Sequence, residues 1–261
     1  FREDFDSKII EIFNKKDIDL VVCAGFNQII SNVLVKEFRA DDFLPPEGMP
    51  NPGASTAVSM AGGISSRAIQ ISETDLKNSR TLLSVFSDLE NQISESFKRV
   101  TGEEWNKPAY HPMNTLSPEL LLGLKHMENV IHSWDIFNAI DNSYVMDDKA
   151  CLSICNLWQN NLITDWFFTP DENQLDPVAI SIDLIDAGNF TLTIWNGVLS
   201  FTENRNISDK NQSSSLQISP ANLILLLSAR TNLNYLIEDN AATIKGDKNI
   251  FSKFHTWFRG T

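Results

Sequence analysis

Residues 117–140 read SPELLLGLKHMENVIHSWDIFNAI. Ser117 is a natural N-cap, Pro118 suits the first helical turn, and Glu119 complements the positive end of the helix dipole. The stretch therefore predicts a helix from Pro118 to about Ile140. Glu128 and His132 are four apart and Asp135 is three further on, so all three project from one face. His126 and Trp134 point elsewhere. A carboxylate and an imidazole one turn apart can chelate a divalent metal or form an acid–base pair. The same spacing also describes an ordinary ion pair in which a carboxylate only orients the ring.

Helical spacing continues upstream. Phe5, Ile9, Ile10, Ile12 and Phe13 mark residues 5–16, and Ile29, Ile30, Val33 and Leu34 mark residues 26–38 with Asn27 as N-cap. Pro45-Pro46, Pro50, Pro52-Gly53 and Gly62-Gly63 make 41–63 a long loop, read as a lid, a site-lining loop or plain surface. Leu82, Leu83, Phe86, Leu89, Ile93 and Phe97 predict a helix over 73–99, with a loop over 101–115. A shorter helix is expected over 147–161.

After Pro170 the period changes from helical to alternating. Val178, Ile180, Ile182 and Leu184 make one strand, and Phe190, Leu192 and Ile194 make another. Asn196-Gly197 marks a tight hairpin turn into Val198–Phe201. Residues 203–214 read as a polar loop, and Leu216-Gln217-Ile218 as a short strand. Ser219-Pro220 caps a helix through Leu223–Leu227. A strand over 241–245 and a closing helix over 248–258 complete the chain. The front is thus all-helical and the back a small α+β unit, with the boundary between 161 and 176.

The net charge is −13, and Lys and Arg are scattered. That field repels phosphate backbones and anionic lipid heads, so neither nucleic acid nor a membrane surface is an expected partner. No apolar run reaches bilayer length. The first residues are charged and do not read as a secretory signal. Phe1 is not an initiator Met, so a short preceding piece is expected. Cys23, Cys151 and Cys155 are a sparse, odd set that fits a reducing, cytoplasmic compartment. Cys151 and Cys155 read as buried free thiols.

The segment Glu128-Asn129-Val130-Ile131-His132-Ser133-Trp134-Asp135-Ile136 with Ala139 resembles the E-x-x-x-H-x-W-D-[LIV]-x-x-A segment of the DinB-like, mycothiol-dependent maleylpyruvate isomerase family. Trp105-Asn106-Lys107-Pro108 is similar to the Trp-x-x-Pro loop that leads into that helix. The back half resembles the sterol-carrier-like domain that often follows, in Leu223–Leu227 with Arg230 and in Lys245-Gly246-Asp247. Ala229 stands where that pattern has Gly. The resemblance implies an α + (α+β) fold: a DinB-like four-helix bundle over 1–165 and a sterol-carrier-like α+β domain over 166–261.

It further implies that Glu128 and His132 ligate a divalent metal, zinc or another, and that a low-molecular-weight thiol takes part. Cys23-Ala24-Gly25-Phe26 resembles the C-x-G-W entry to the helix that carries the family's remaining His ligand. Residues 27–38 hold no His, and Asn32 takes its place. An amide oxygen is a poor zinc partner. Either the site is lost, the metal has changed, or another residue supplies the third ligand, with Asn32 and His111 as the candidates.

Two functions follow. The first is an isomerase- or transferase-like enzyme of a specialised pathway, monomer or homodimer, acting on a small, anionic metabolite in an interdomain cleft. His132, Glu128 and Asp135 would be catalytic, with His132 as general base if no metal is bound. Arg230, Trp134 and Asn32 would bind substrate, Arg230 as an anion clamp; the plainer readings are a surface Arg at a helix C-terminus and a packed Trp134. The second is a non-catalytic small-molecule or lipid-binding protein on the same scaffold. The aromatic run Trp166-Phe167-Phe168 reads as packing.

Overall fold

A computed structural model describes residues 79–111, 114–158, 167–169, 176–203 and 214–258. The helices expected over 5–16 and 26–38, the loop over 41–63, Cys23, Asn32 and Trp166 lie outside them, as does half of the expected four-helix bundle. The described elements are helices together with a mixed sheet, an α+β arrangement. The chain divides into two compact units, Phe1–Leu122 and Gly123–Thr261.

In the first unit, helix α1 (Ser79–Lys98) buries Ile93 and Phe97. The stretch expected to be loop holds more structure than its sequence announces. A 3-10 turn spans Gly102–Asn106, with Glu104 accepting from the backbone N–H and hydroxyl of Thr101. Two three-residue strands follow, β1 (Ala109–His111) and β2 (Asn114–Leu116), paired antiparallel.

Helix α2 (Pro118–Ile140) begins where Ser117 caps it, the Ser117 hydroxyl oxygen accepting from Leu120 N–H at 3.2 Å. Its buried stripe is Leu121, Leu124, Met127 and Ile131, at three- and four-residue steps. Helix α3 (Asp148–Leu157) is capped by Asp147, which accepts from Ala150 N–H at 2.8 Å. Gly123 lets α2 and α3 approach: a Cβ there would lie 2.7 Å from a Leu157 methyl. Cys151 and Cys155 are buried on α3 as free thiols, and burial first of all pushes each up to about 12.

The second unit also holds a five-stranded sheet in the order β5-β4-β3-β6-β7. Its strands are β3 (Val178–Leu184), β4 (Gly188–Trp195), β5 (Val198–Glu203), β6 (Ser215–Ile218) and β7 (Ala242–Lys245). β3 and β6 run parallel, and the other neighbours are antiparallel. Trp195 pairs with Val198 around Asn196-Gly197, whose positive φ values of 50° and 74° fit a tight hairpin. Val178, Ile180, Ile182, Leu184, Phe190, Leu192, Ile194, Leu199, Phe201, Leu216 and Ile218 are all buried, so one face of the sheet carries the core.

Helix α4 (Pro220–Leu227) is buried nearly all round and packs against α3. Helix α5 (Leu233–Glu238) follows, and it was not among the expected elements. The closing helix is two short pieces, α6 (Lys248–Ser252) and α7 (Phe254–Trp257), broken at Lys253. Phe251, Phe254, Trp257 and Phe258 all turn inward from these pieces, where Phe258 meets Phe167 and Phe168.

The end of α4 aims a candidate site residue. Ala229 N–H donates to Leu226 O at 3.2 Å and Arg230 N–H to Leu225 O at 2.8 Å, a helix-ending turn that needs a left-handed residue. Ala229 supplies it at φ 56°. Ala229 is exposed, so Ala229→Gly relieves the left-handed backbone with little packing to lose and is expected to stabilise the protein by about 1 kcal/mol. The shift of the denaturant midpoint measures it, and a lower midpoint would contradict the strained turn.

Candidate functional site

The site grows from the outward face of α2 within the second unit. Helical spacing stacks Glu128, His132 and Asp135, and the side chains meet there. Nε2 of His132 lies 3.0 Å from Glu128 Oε2, and Nδ1 lies 2.9 Å from Asp135 Oδ2. Both ring nitrogens face carboxylate oxygens, so both donate and the ring is an imidazolium. The hydrogen bond to Asp135, then that to Glu128, raise His132 to about 9 against the opposing pull of burial.

Arg230 reaches the same carboxylate from the turn after α4. Its Nε donates to Asp135 Oδ1 at 3.2 Å and its Nη2 to Oδ2 at 3.1 Å, a two-pronged grip. Nη1 donates to Ser228 O at 2.8 Å, which braces the guanidinium against its own turn. The Ser228 hydroxyl is spent on Ile224 O at 2.7 Å. Burial works to raise Asp135, but hydrogen bonds from His132 and Arg230 outweigh it and hold the carboxyl below its usual range.

The four side chains form a chain, Glu128–His132–Asp135–Arg230, with two negative and two positive members. It borders a pocket of about 40 Å³ lined by Met127, Glu128, Ile131, His132, Trp158, Phe167, Ser228 and Arg230. That is room for a few waters or for one polar group of a larger molecule. Trp158, Phe167 and Ser228 were not expected at the site. Only the closeness of Ser228 to Arg230 in sequence hinted at any of them.

The remaining expected residues are placed differently. Trp134 is half-buried on α2 and does not line this pocket. His126 sits 3.4 Å from Ala150 O on α3. His111 belongs to the first unit, where burial pulls it down to about 4. Asn32 lies outside the described residues.

A divalent metal would need three or more donors converging on one point. Among the described residues no group of His, Cys, Asp and Glu does so. Glu128 and His132 are the two available donors. The third neighbour, the carboxylate of Asp135, is gripped by a guanidinium that would repel a cation. The described donor set therefore does not make a metal cage.

No known family profile and no curated protein sequence matches the chain. Solved structures similar to parts of it include the stereoselective inverting sec-alkylsulfatase Pisa1 from Pseudomonas sp., with 14% identity over 52% of this chain and 29% of that one, TM-score 0.31. Sterol carrier protein 2 from Yarrowia lipolytica in its apo form has 10% identity over 31% of this chain and 63% of that one, TM-score 0.25. Sterol carrier protein-2 like-3 from Aedes aegypti has 19% identity over 33% of this chain and 81% of that one, TM-score 0.27. The chain thus spans under a third of the alkylsulfatase and under two thirds of the Yarrowia protein. These are weak, partial likenesses and say nothing of activity. Among the described residues no helix is long and apolar enough to cross a membrane.

Proposed function

We propose that the second unit works as an acid–base enzyme, isomerase- or transferase-like, on a small anionic metabolite that places one polar group in the His132 pocket. The observation that carries this reading is His132 held at both ring nitrogens, by Glu128 and by Asp135, beside a pocket that Arg230 also lines. At neutral pH the ring begins as the acid rather than the base. Asp135 and Arg230 fix it from behind. A substrate oxygen that replaces Glu128 at Nε2 receives the proton held there, and the displaced Glu128 carboxylate is then a base beside the substrate.

Arg230 can hold the anionic group. Among the described residues Asp135 and Ser228 use three of its five N–H donors, which leaves two for a ligand. The finer family reading, a DinB-like bundle joined to a sterol-carrier-like domain, is supported by the Glu128–His132–Trp134–Asp135 motif and by Glu128 and His132 sharing a face of α2. A thiol co-substrate and a bound metal belong to that reading and are settled by assay. Lipid binding fits this pocket less well, because about 40 Å³ takes no acyl chain or sterol.

The test is proton exchange in D₂O, followed by proton NMR, over a panel of small enolisable and unsaturated carboxylates. It is run with and without glutathione and with and without added zinc. Exchange that disappears in His132→Gln, with unchanged thermal unfolding, supports the reading. Exchange that survives in His132→Gln, or none across the panel, overturns it.

A further inference from the structure

The turn that aims Arg230 has a second side. Ser228 and Arg230 face the His132 pocket, while Ala229 and Thr231 face a larger cavity. That cavity measures about 450 Å³, within the roughly 300–1,000 Å³ typical of small-molecule sites. It lies between the end of α4, the start of α5 and the pair α6–α7.

Its lining is split in character. Leu226, Leu233, Phe251, Phe254 and Phe258 form an apolar wall rich in rings. Thr231, Asn232, Asn234, Ser252 and His255 contribute hydroxyl, amide and imidazole groups. Among the described residues no carboxylate, Lys or Arg lines it, so a cation finds no counter-charge from them. Of the described lining residues, only His255 could meet an anion with charge, in a chain of net charge −13. Aromatic walls suit a flat, apolar body, and amides and hydroxyls suit uncharged hydrogen-bonding groups.

We propose that this cavity is a second small-molecule site, for an uncharged ring-bearing molecule with carbonyl, hydroxyl or amide groups. It is separate from the His132 pocket and does not rest on the acid–base reading. The two share one turn, so an occupant against Ala229 and Thr231 bears on the segment that carries Arg230.

The probe for the test is prodan, an uncharged naphthalene with one carbonyl group, whose emission shifts to the blue when it leaves water. Saturable binding of one prodan per chain is expected. Asn234→Trp and Ser252→Trp place indoles at exposed rim positions without touching the core. Each is expected to weaken binding by about tenfold, roughly 1.4 kcal/mol, with thermal unfolding unchanged. His132→Gln is expected to leave prodan binding as it was. Absence of saturable binding overturns the proposal. So does binding that both tryptophan variants leave intact, or binding lost in His132→Gln. A tighter response from the anionic probe 1-anilinonaphthalene-8-sulfonate than from prodan overturns the uncharged class.

Discussion

Replacing Asp135 by Asn is expected to bring His132 down from about 9 towards the ordinary histidine value near 6.5. The same change is expected to destabilise the protein by about 1–3 kcal/mol. The reason is geometric. Asp135 is the largest cause of the raised His132 and also the anchor for the two-pronged Arg230 contact. The amide keeps the shape but loses the charge, and its NH₂ group can only oppose a donor. Arg230 and His132 are then left half-buried with one charge partner fewer between them.

The pH dependence follows with a definite sign. Folded His132 holds its proton more tightly than the unfolded chain does. Its contribution to stability is fully present below about 6.5 and is lost as pH rises through about 9. The His132 side chain is 36% exposed, so solvent screening discounts the effect to about 1–2 kcal/mol. Asp135 acts in the other direction, its contribution present at neutral pH and lost as pH falls through its lowered carboxyl range. Histidine NMR titration gives the first quantity and denaturant unfolding at several pH values the second. A native His132 titrating near 6.5, or the same alkaline loss in Asp135→Asn, contradicts the arrangement.

The two halves of this network differ in how openly the sequence declares them. Glu128, His132 and Asp135 could be placed on one face because helical period is local and Ser117-Pro118 fixes where the helix starts. Strands β3, β4 and β5 were equally open, since alternation and Asn196-Gly197 are local signals. Arg230 is different. It lies 95 residues from Asp135, and nothing local couples them. Its chemistry suggested an anion clamp, and two of its donors in fact hold Asp135 from within the protein.

Short elements were also hidden. Strands β1 and β2 have three residues each, too few to show alternation. Helix α5 did carry a signal: Asn232 caps it, accepting from Tyr235 N–H at 2.8 Å, and Leu233 and Leu236 are buried one turn apart. The break at Lys253 has no Gly or Pro to announce it. There Phe251, Phe254, Trp257 and Phe258 all enter the core from a stretch of eight residues, so tertiary packing outweighs helical continuity.

Trp158 is where packing and the pocket meet, and Trp158→Ala is expected to cost about 3–5 kcal/mol. Its side chain is 1% exposed. The ring centre lies 5.2 Å from Phe167 and 6.2 Å from Phe201, and the ring forms part of the pocket wall. Truncation removes a bicyclic ring that links α3 to strand β5, and it opens a void beside His132. Set against a usual domain stability of roughly 5–15 kcal/mol, that is a large fraction.

Trp158→Phe should behave quite differently. The indole Nε1 is buried and has no hydrogen-bond partner among the described residues. An unmet donor costs about 1–3 kcal/mol, and phenylalanine removes it while keeping one ring in place. The smaller void offsets that gain, so the net change is expected to stay within about 1 kcal/mol of the native protein. Denaturant unfolding of the two variants separates the ring's packing from its polar atom. If Phe costs nearly as much as Ala, Nε1 has a partner in solution, with pocket water as the nearest source. If Ala costs less than about 1 kcal/mol, the ring is not the packed wall described here.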